Sequence, residues 1–206
     1  MANVESPPPL VIKVGGSLAE TGLLKDALHR IAAATRPVVV VPGGGQFADK
    51  VRDLQRAAGF DDAAAHRLAM LGMHQMAEVF MTLEPRLKEA ANLDAISQTL
   101  GQGGIPLWVP LPMMERDTTI TPGWDTTSDS LAARLAELLG SPLALLKSAS
   151  VVPGASAVAL SGDGVVDRAF PAAIARSDLD WRIFGPEDDA AFEAYLRAVP
   201  AIKSKS

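Results

Sequence analysis

Cysteine is absent from the 206 residues, which excludes disulfides, thiolate metal sites and thiol nucleophiles. Histidine is scarce, at His29, His66 and His74, and the last two lack the i, i+4 spacing of a helical metal pair. No apolar run approaches the ~20 residues of a membrane-spanning helix. Residues 1–9 carry neither a basic region nor an apolar core, so no signal peptide is expected and the location read is cytoplasmic. The net charge is −5 and no Lys/Arg block occurs, which argues against nucleic acid or a membrane as a partner and makes any anion site local. Aromatics are only 5% of the chain, whereas hydrophobic residues reach 48%. Abundant alanine among them suits a closely packed α/β protein. The chain reads as an irregular lead-in over residues 1–9, one domain over 10–200 and a flexible tail over 201–206, without repeats or linkers.

Two strand-to-glycine turns stand out. Leu10, Val11, Ile12 and Val14 form a buried-strand pattern interrupted by Lys13 and followed by Gly15, Gly16 and Ser17. A lysine inside such a strand either meets an anion at the strand's carboxyl end or belongs to an edge strand before an ordinary turn. The unbroken apolar run of residues 37–41 leads into Pro42, Gly43, Gly44, Gly45 and Gln46. Three glycines in a row are entropically costly unless backbone must come close to something. A helical pattern at Leu23, Leu24, Ala27, Leu28, Ile31 and Ala32 lies between the two units, as in a βαβ crossover.

Further along, residues 47–58 read as an amphipathic helix with Asp49 in its first turn, where a carboxylate favours the helix dipole or faces a ligand. Asp61 and Asp62 read as caps for a long helix over residues 63–83. That helix is apolar almost all round, and a homo-oligomer built through it is expected. His66 near its start is a candidate ligand contact, whereas His74 reads as a partly buried residue with a partner. Residues 85–100 read as a helix with a break, 105–109 as a strand, and 113–122 as irregular. Trp124, Asp125, Thr126, Thr127, Ser128, Asp129 and Ser130 then lead into an amphipathic helix ended by Gly140. Capping needs one residue of that cluster, which leaves Asp129 free to orient basic groups. The strand over 142–146 ends in Lys147 and Ser148, repeating the arrangement at Lys13, and two such lysines would flank a transferring phosphoryl group. Residues 158–160 read as a short strand, 171–176 as a helix, 181–184 as a strand and 186–198 as a helix.

Val-Ile-Lys-Val-Gly-Gly-Ser, Val-Val-Pro-Gly-Gly-Gly and a Ser-Asp-Ser-Leu-Ala helix followed by a Leu-Leu-Lys strand together resemble the amino acid kinase superfamily. The details over residues 43–52, 65–70, 124–130, 145–148 and 166–171 look closest to its small branch that phosphorylates an aminomethylfuran phosphate in methanofuran or methylofuran biosynthesis. The resemblance implies a three-layer αβα sandwich around a mainly parallel sheet. It implies ATP as donor and Mg²⁺ held mainly by the phosphates, with no protein metal site. Lys13 and Lys147 would neutralise the transferred group, with Asp129 orienting both. Gly15, Gly16, Ser17, Ser128, Lys147 and Ser148 would lie on the nucleotide side. Gly43, Gly44, Gly45, Gln46, Asp49, His66, Trp124 and Asp125 would lie on the acceptor side, with Asp49, Asp125 and Trp124 as candidates for binding the acceptor's amine.

Two departures mark this chain. Many members follow the Leu-Leu strand with Asp-Gly, where this sequence has Ser148 and Ala149; larger members carry a late second lysine, whose place Lys147 would take. The expected activity is phosphoryl transfer from ATP to a small phosphomonoester. The alternatives are a kinase for a nucleoside monophosphate or an amino-acid carboxylate, and a non-catalytic nucleotide- or oxyanion-binding protein of the same fold.

Overall fold

The structure, a computed structural model, describes residues 7–198. The expected tail over 201–206 and most of the lead-in lie outside them. Strand β1 (Leu10–Val14) is buried at every position, because parallel neighbours flank it on both edges and helices cover both faces. Around it stand β2 (Val38–Pro42), β3 (Leu87–Ala90), β4 (Ile105–Trp108), β5 (Leu143–Leu146) and β6 (Trp181–Phe184). They form one sheet of order β3-β4-β2-β1-β5-β6, with every pairing parallel.

The alternation of β1 sorts the core into two halves. Leu10, Ile12 and Val14 pack with α1 (Leu24–Ala32) and with Met76, Ala77 and Phe80 of the long α3 (Asp62–Leu83), while Val11 faces the opposite cluster. That second cluster holds Ile96 of α4 (Leu93–Gly101), Leu111 and Met114 of the single turn α5 (Leu111–Met114), and the buried face of α6 (Ser128–Leu139). It also takes Leu160 of α7 (Ala157–Gly162) and Phe170 of α8 (Phe170–Arg176). Phe192 and Leu196 of α9 (Asp189–Arg197) close the first half. The expected three-layer α/β architecture is therefore found. Helix α2 (Gly45–Ala58) lies outside the sheet against α3, at a close approach set by Gly72: a Cβ there would lie 3.1 Å from the Ala48 nitrogen.

Two expected elements differ. Residues 85–100 are not a broken helix, since residues 87–90 form the edge strand β3 and α4 follows, capped by the Asn92 side chain. Leu-Lys-Glu-Ala carries no β-branched residue, and pairing with β4 overrides its local helical preference. Residues 158–160 are not a strand but the middle of α7, started by Ser156, whose hydroxyl accepts from Ala159 N at 3.2 Å. Ala157 and Leu160 are buried and Val158 is 71% exposed, an i, i+3 burial pattern that suits one turn of helix. The long helix is as expected: Asp61 caps it by accepting from Ala64 N at 2.8 Å.

Candidate functional site

Three parallel strands end side by side, with β2, β1 and β5 adjacent, so the loops after Val14, Pro42 and Leu146 converge on one edge of the sheet. Lys13 is in register with Val41 and Leu145, one residue short of that edge. Strand alternation turns its side chain towards α6. There its ammonium meets Asp129 Oδ1 at 2.8 Å, with both side chains almost wholly buried. Lys147, just past β5, reaches the same carboxylate from the neighbouring strand, donating to Oδ1 at 2.8 Å and Oδ2 at 2.7 Å. Both lysines and Asp129 thus form one buried cluster.

Burial alone would raise the Asp129 carboxyl, but the charges and hydrogen bonds of Lys13 and Lys147 bring it down to about 2. Lys147 is lowered to about 8 by burial and by the Lys13 charge, against the pull of Asp129. Asp129 therefore keeps its negative charge at any physiological pH.

The cluster opens on a cavity of about 440 Å³. Its walls include Lys13, Lys147, Asp129, Gly16, Ser17, Ser128, the three glycines Gly43, Gly44 and Gly45, Asp49, His66 and Trp124. Gly15 stands behind the wall, donating its N–H to Leu146 O at 2.9 Å, and Ser148 is tied to Ser17 through their hydroxyls at 2.7 Å. Gln46 is exposed and is not among the cavity residues. Asp125 turns away: it is exposed, pairs with Arg168 at 3.6 Å and lines a neighbouring hollow. Of the three candidates for binding an amine, Asp49 and Trp124 share the main cavity and Asp125 does not.

One corner of the cavity already handles a cation. The Arg52 guanidinium lies 4.2 Å over the Trp124 ring and donates to Asp49 Oδ1 at 3.0 Å. Trp124 Nε1 is held by Gln55 Oε1 at 2.6 Å, and His66 Nδ1 donates to Gly123 O at 3.2 Å. Arg52, Gln55 and His66 thereby tie the segment carrying Gly123 and Trp124 to α2 and α3. His66 is 6% exposed, burial lowers its pKa, and its Nε2 has no partner within the described residues. His74 is the satisfied residue expected: its Nε2 accepts from Leu111 N at 3.2 Å.

Asp167, in the segment between α7 and α8, gained no role from sequence reasoning. Its carboxylate accepts from Thr127 N at 2.9 Å, Thr127 Oγ1 at 2.9 Å, Ser130 N at 3.0 Å and Ser130 Oγ. Thr127 occupies the N-cap position of α6 with its hydroxyl spent on Asp167. The residues 166–171 stretch was the only signal that could have found Asp167, and the residues 43–52 stretch the only one for Arg52.

Among the described residues no group of three or more His, Cys, Asp or Glu is placed to hold a metal ion, and no helix is long and apolar enough to cross a membrane. What the arrangement offers is positive charge, fixed by a buried carboxylate, beside glycine loops that line the same cavity.

The model of the amino acid kinase family matches residues 8–152. A [5-(aminomethyl)furan-3-yl]methyl phosphate kinase from Methanocaldococcus jannaschii is 28% identical over 131 residues, which cover 63% of this chain and 60% of that protein. The uridylate kinase from Archaeoglobus fulgidus shares the fold with a TM-score of 0.65 at 18% identity, over 90% of this chain and 95% of its own. The carbamate kinase from Giardia lamblia bound to AMP-PNP superposes with a TM-score of 0.59 at 11% identity, over 94% and 97%.

Proposed function

We propose that this chain, which belongs to the amino acid kinase family, is a phosphotransferase that moves the γ-phosphoryl group of ATP to [5-(aminomethyl)furan-3-yl]methyl phosphate, giving the diphosphate. The observation that carries this reading is the pair of ammonium groups, Lys13 and Lys147, held on one buried carboxylate beside the triple-glycine loop. The relative's name supports the acceptor, as does the corner formed by Asp49 and Trp124. That corner holds the Arg52 guanidinium in this structure, and a primary ammonium would bind there by the same chemistry in place of it.

In the reaction an oxygen of the acceptor phosphate bonds to the γ-phosphorus as the bond from that phosphorus to the β–γ bridging oxygen breaks, releasing ADP. A phosphomonoester is already largely ionised near neutral pH, so the step needs no general base. Catalysis then rests on positioning and charge neutralisation. Lys13 and Lys147 meet the charge on the transferred group and the leaving oxygen, and Asp129 keeps both ammoniums from moving. Gly16 and Ser17 would offer backbone N–H groups to the donor phosphates, and Gly44 and Gly45 to the acceptor phosphate, while Gly43, whose N–H is spent on Val14 O at 2.8 Å, shapes the loop beside it. Mg²⁺ bound to the nucleotide phosphates would supply further charge neutralisation. ADP formation from Mg-ATP with the furan phosphate, UMP, aspartate and acetylglutamate tests the acceptor; turnover confined to the furan phosphate is the expected result, and turnover on another member alone overturns that choice.

A further inference from the structure

We propose that Asp167 is a positioning residue for the ion cluster: it locks the first turn of α6, and with it Asp129, in the place where both lysines can share one carboxylate. The inference rests on reading that cluster as the phosphoryl-transfer centre.

Asp129 is the second residue of α6, so its position is set by how that turn is held. Asp167 grips the turn on both sides of Asp129, taking the N–H and hydroxyl of Thr127 before it and the N–H and hydroxyl of Ser130 after it. Its own backbone N–H then donates to Asp129 Oδ2 at 3.3 Å. Asp129 is thus constrained through its backbone and at its carboxylate by one residue 38 positions away.

Capping alone does not explain this arrangement. Asp61, Asn92 and Ser156 cap α3, α4 and α7 locally, each accepting from the N–H three residues on. Thr127 stands where it could do the same for α6, yet its hydroxyl donates to Asp167 instead. The remote carboxylate lies close to a second buried one. Burial pushes the Asp167 carboxyl up and the Asp129 charge adds to it, while hydrogen bonds from Ser130 and Thr127 pull the other way. A local cap avoids that repulsion, so the geometry points to a demand that a local cap does not meet, a fixed Asp129. Asp167 also faces the main cavity, together with Gly164, Val165 and Val166 of its own segment, so the same residue ties that wall to the cluster.

The test reads Lys147, which faces Lys13 from β1 and Asp129 from α6, by ¹³C NMR titration of the lysine side chains, assigned with Lys147→Arg. Asp167→Glu keeps the charge and changes the reach; Asp167→Asn keeps the reach and removes the charge. Once Asp129 drifts, Lys147 loses the partner that supports its charge, so in both variants it is expected to titrate about half a pH unit or more below wild type. Unfolding moves it the opposite way, towards the ordinary lysine value, and a rise of that kind overturns the proposal. An unchanged titration in both folded variants does so too. A shift in Asp167→Asn alone reduces the role to that of a charge and also overturns it, whereas a shift in Asp167→Glu alone supports it. Turnover is read alongside, with kcat expected to fall about ten-fold and KM for Mg-ATP to stay within about three-fold. A wild type that phosphorylates no acceptor removes the proposed function and leaves the Lys147 comparison intact.

Discussion

Gly16 and Gly45 meet backbone to backbone: a Cβ on Gly16 would fall 2.3 Å from the Gly45 nitrogen and 2.4 Å from its Cα. Gly43 closes on the same loop, where a Cβ would lie 2.6 Å from Gly16 N. The two glycine loops are therefore packed into one surface, and the glycines are demanded by each other before any ligand arrives.

Gly16→Ala is accordingly expected to destabilise the protein by about 2 kcal/mol, through forced separation of the loops. Gly101→Ala, at the end of α4 with open space around it, is expected to be neutral or slightly stabilising. Urea denaturation of the two variants checks the contrast, and equal midpoints would remove the loop contact as its cause.

Lys13→Ala is expected to keep nucleotide binding, since the glycine loops and Lys147 remain, and to lose about 10² or more in kcat. Calorimetric titration with Mg-ATP beside the turnover assay separates the two effects. A variant that turns over at the wild-type rate contradicts the placing of Lys13 at the transferred group.

The lowered pKa of Lys147, about 8, fixes the alkaline behaviour. Its protonated form is the one that neutralises phosphate charge, so kcat/KM is expected to fall on the alkaline side with a midpoint near 8. Stability moves oppositely: between about 8 and the ordinary 10.5 the unfolded chain binds the extra proton, so Lys147 makes the fold gain stability as pH rises through that window. Asp129, depressed to about 2, contributes stability that is present above the ordinary 3.8 and lost as pH falls towards 2. A pH series of urea melts on wild type and Lys147→Met reads the alkaline gain, which the variant is expected to lack.

Asp49→Asn and Trp124→Leu are each expected to raise KM for the amine-bearing acceptor about ten-fold while leaving KM for Mg-ATP near wild type. An acceptor analogue without the aminomethyl group is expected to be insensitive to both. Equal losses on the two acceptors would show that the corner binds something other than the amine.

Helix α3 leaves Leu68 37% and Leu71 40% exposed, and a second copy is proposed to cover them. Light scattering at micromolar concentration is expected to give a dimer or higher mass, and Leu71→Glu to shift it towards the monomer. A monomeric wild type rules this out.

The parts legible in the sequence are those where local chemistry and tertiary role agree. Lys13 breaking an apolar strand, the triple glycine, the Gly59 and Gly140 helix stops and Asp61 before α3 each signal the element found, since the two glycines adopt positive φ and Asp61 caps. The edge strand β3 was hidden because its only strand signal is the partner β4, far along the chain. Asp167 and Arg52 were hidden for a related reason. A carboxylate that caps a helix from another segment, and an arginine two turns into an exposed helix face, carry no local mark of the turn or ring they meet.

Phosphoryl transfer onto a phosphate at the Lys13–Asp129–Lys147 cluster is decided by ³¹P NMR of wild type with Mg-ATP and the furan phosphate. The acceptor's monoester signal is expected to give way to the coupled pair of a diphosphate as ADP appears, and Lys13→Ala at equal concentration to show neither. ADP accompanied only by inorganic phosphate, an unchanged acceptor signal, or the same product from Lys13→Ala would contradict it.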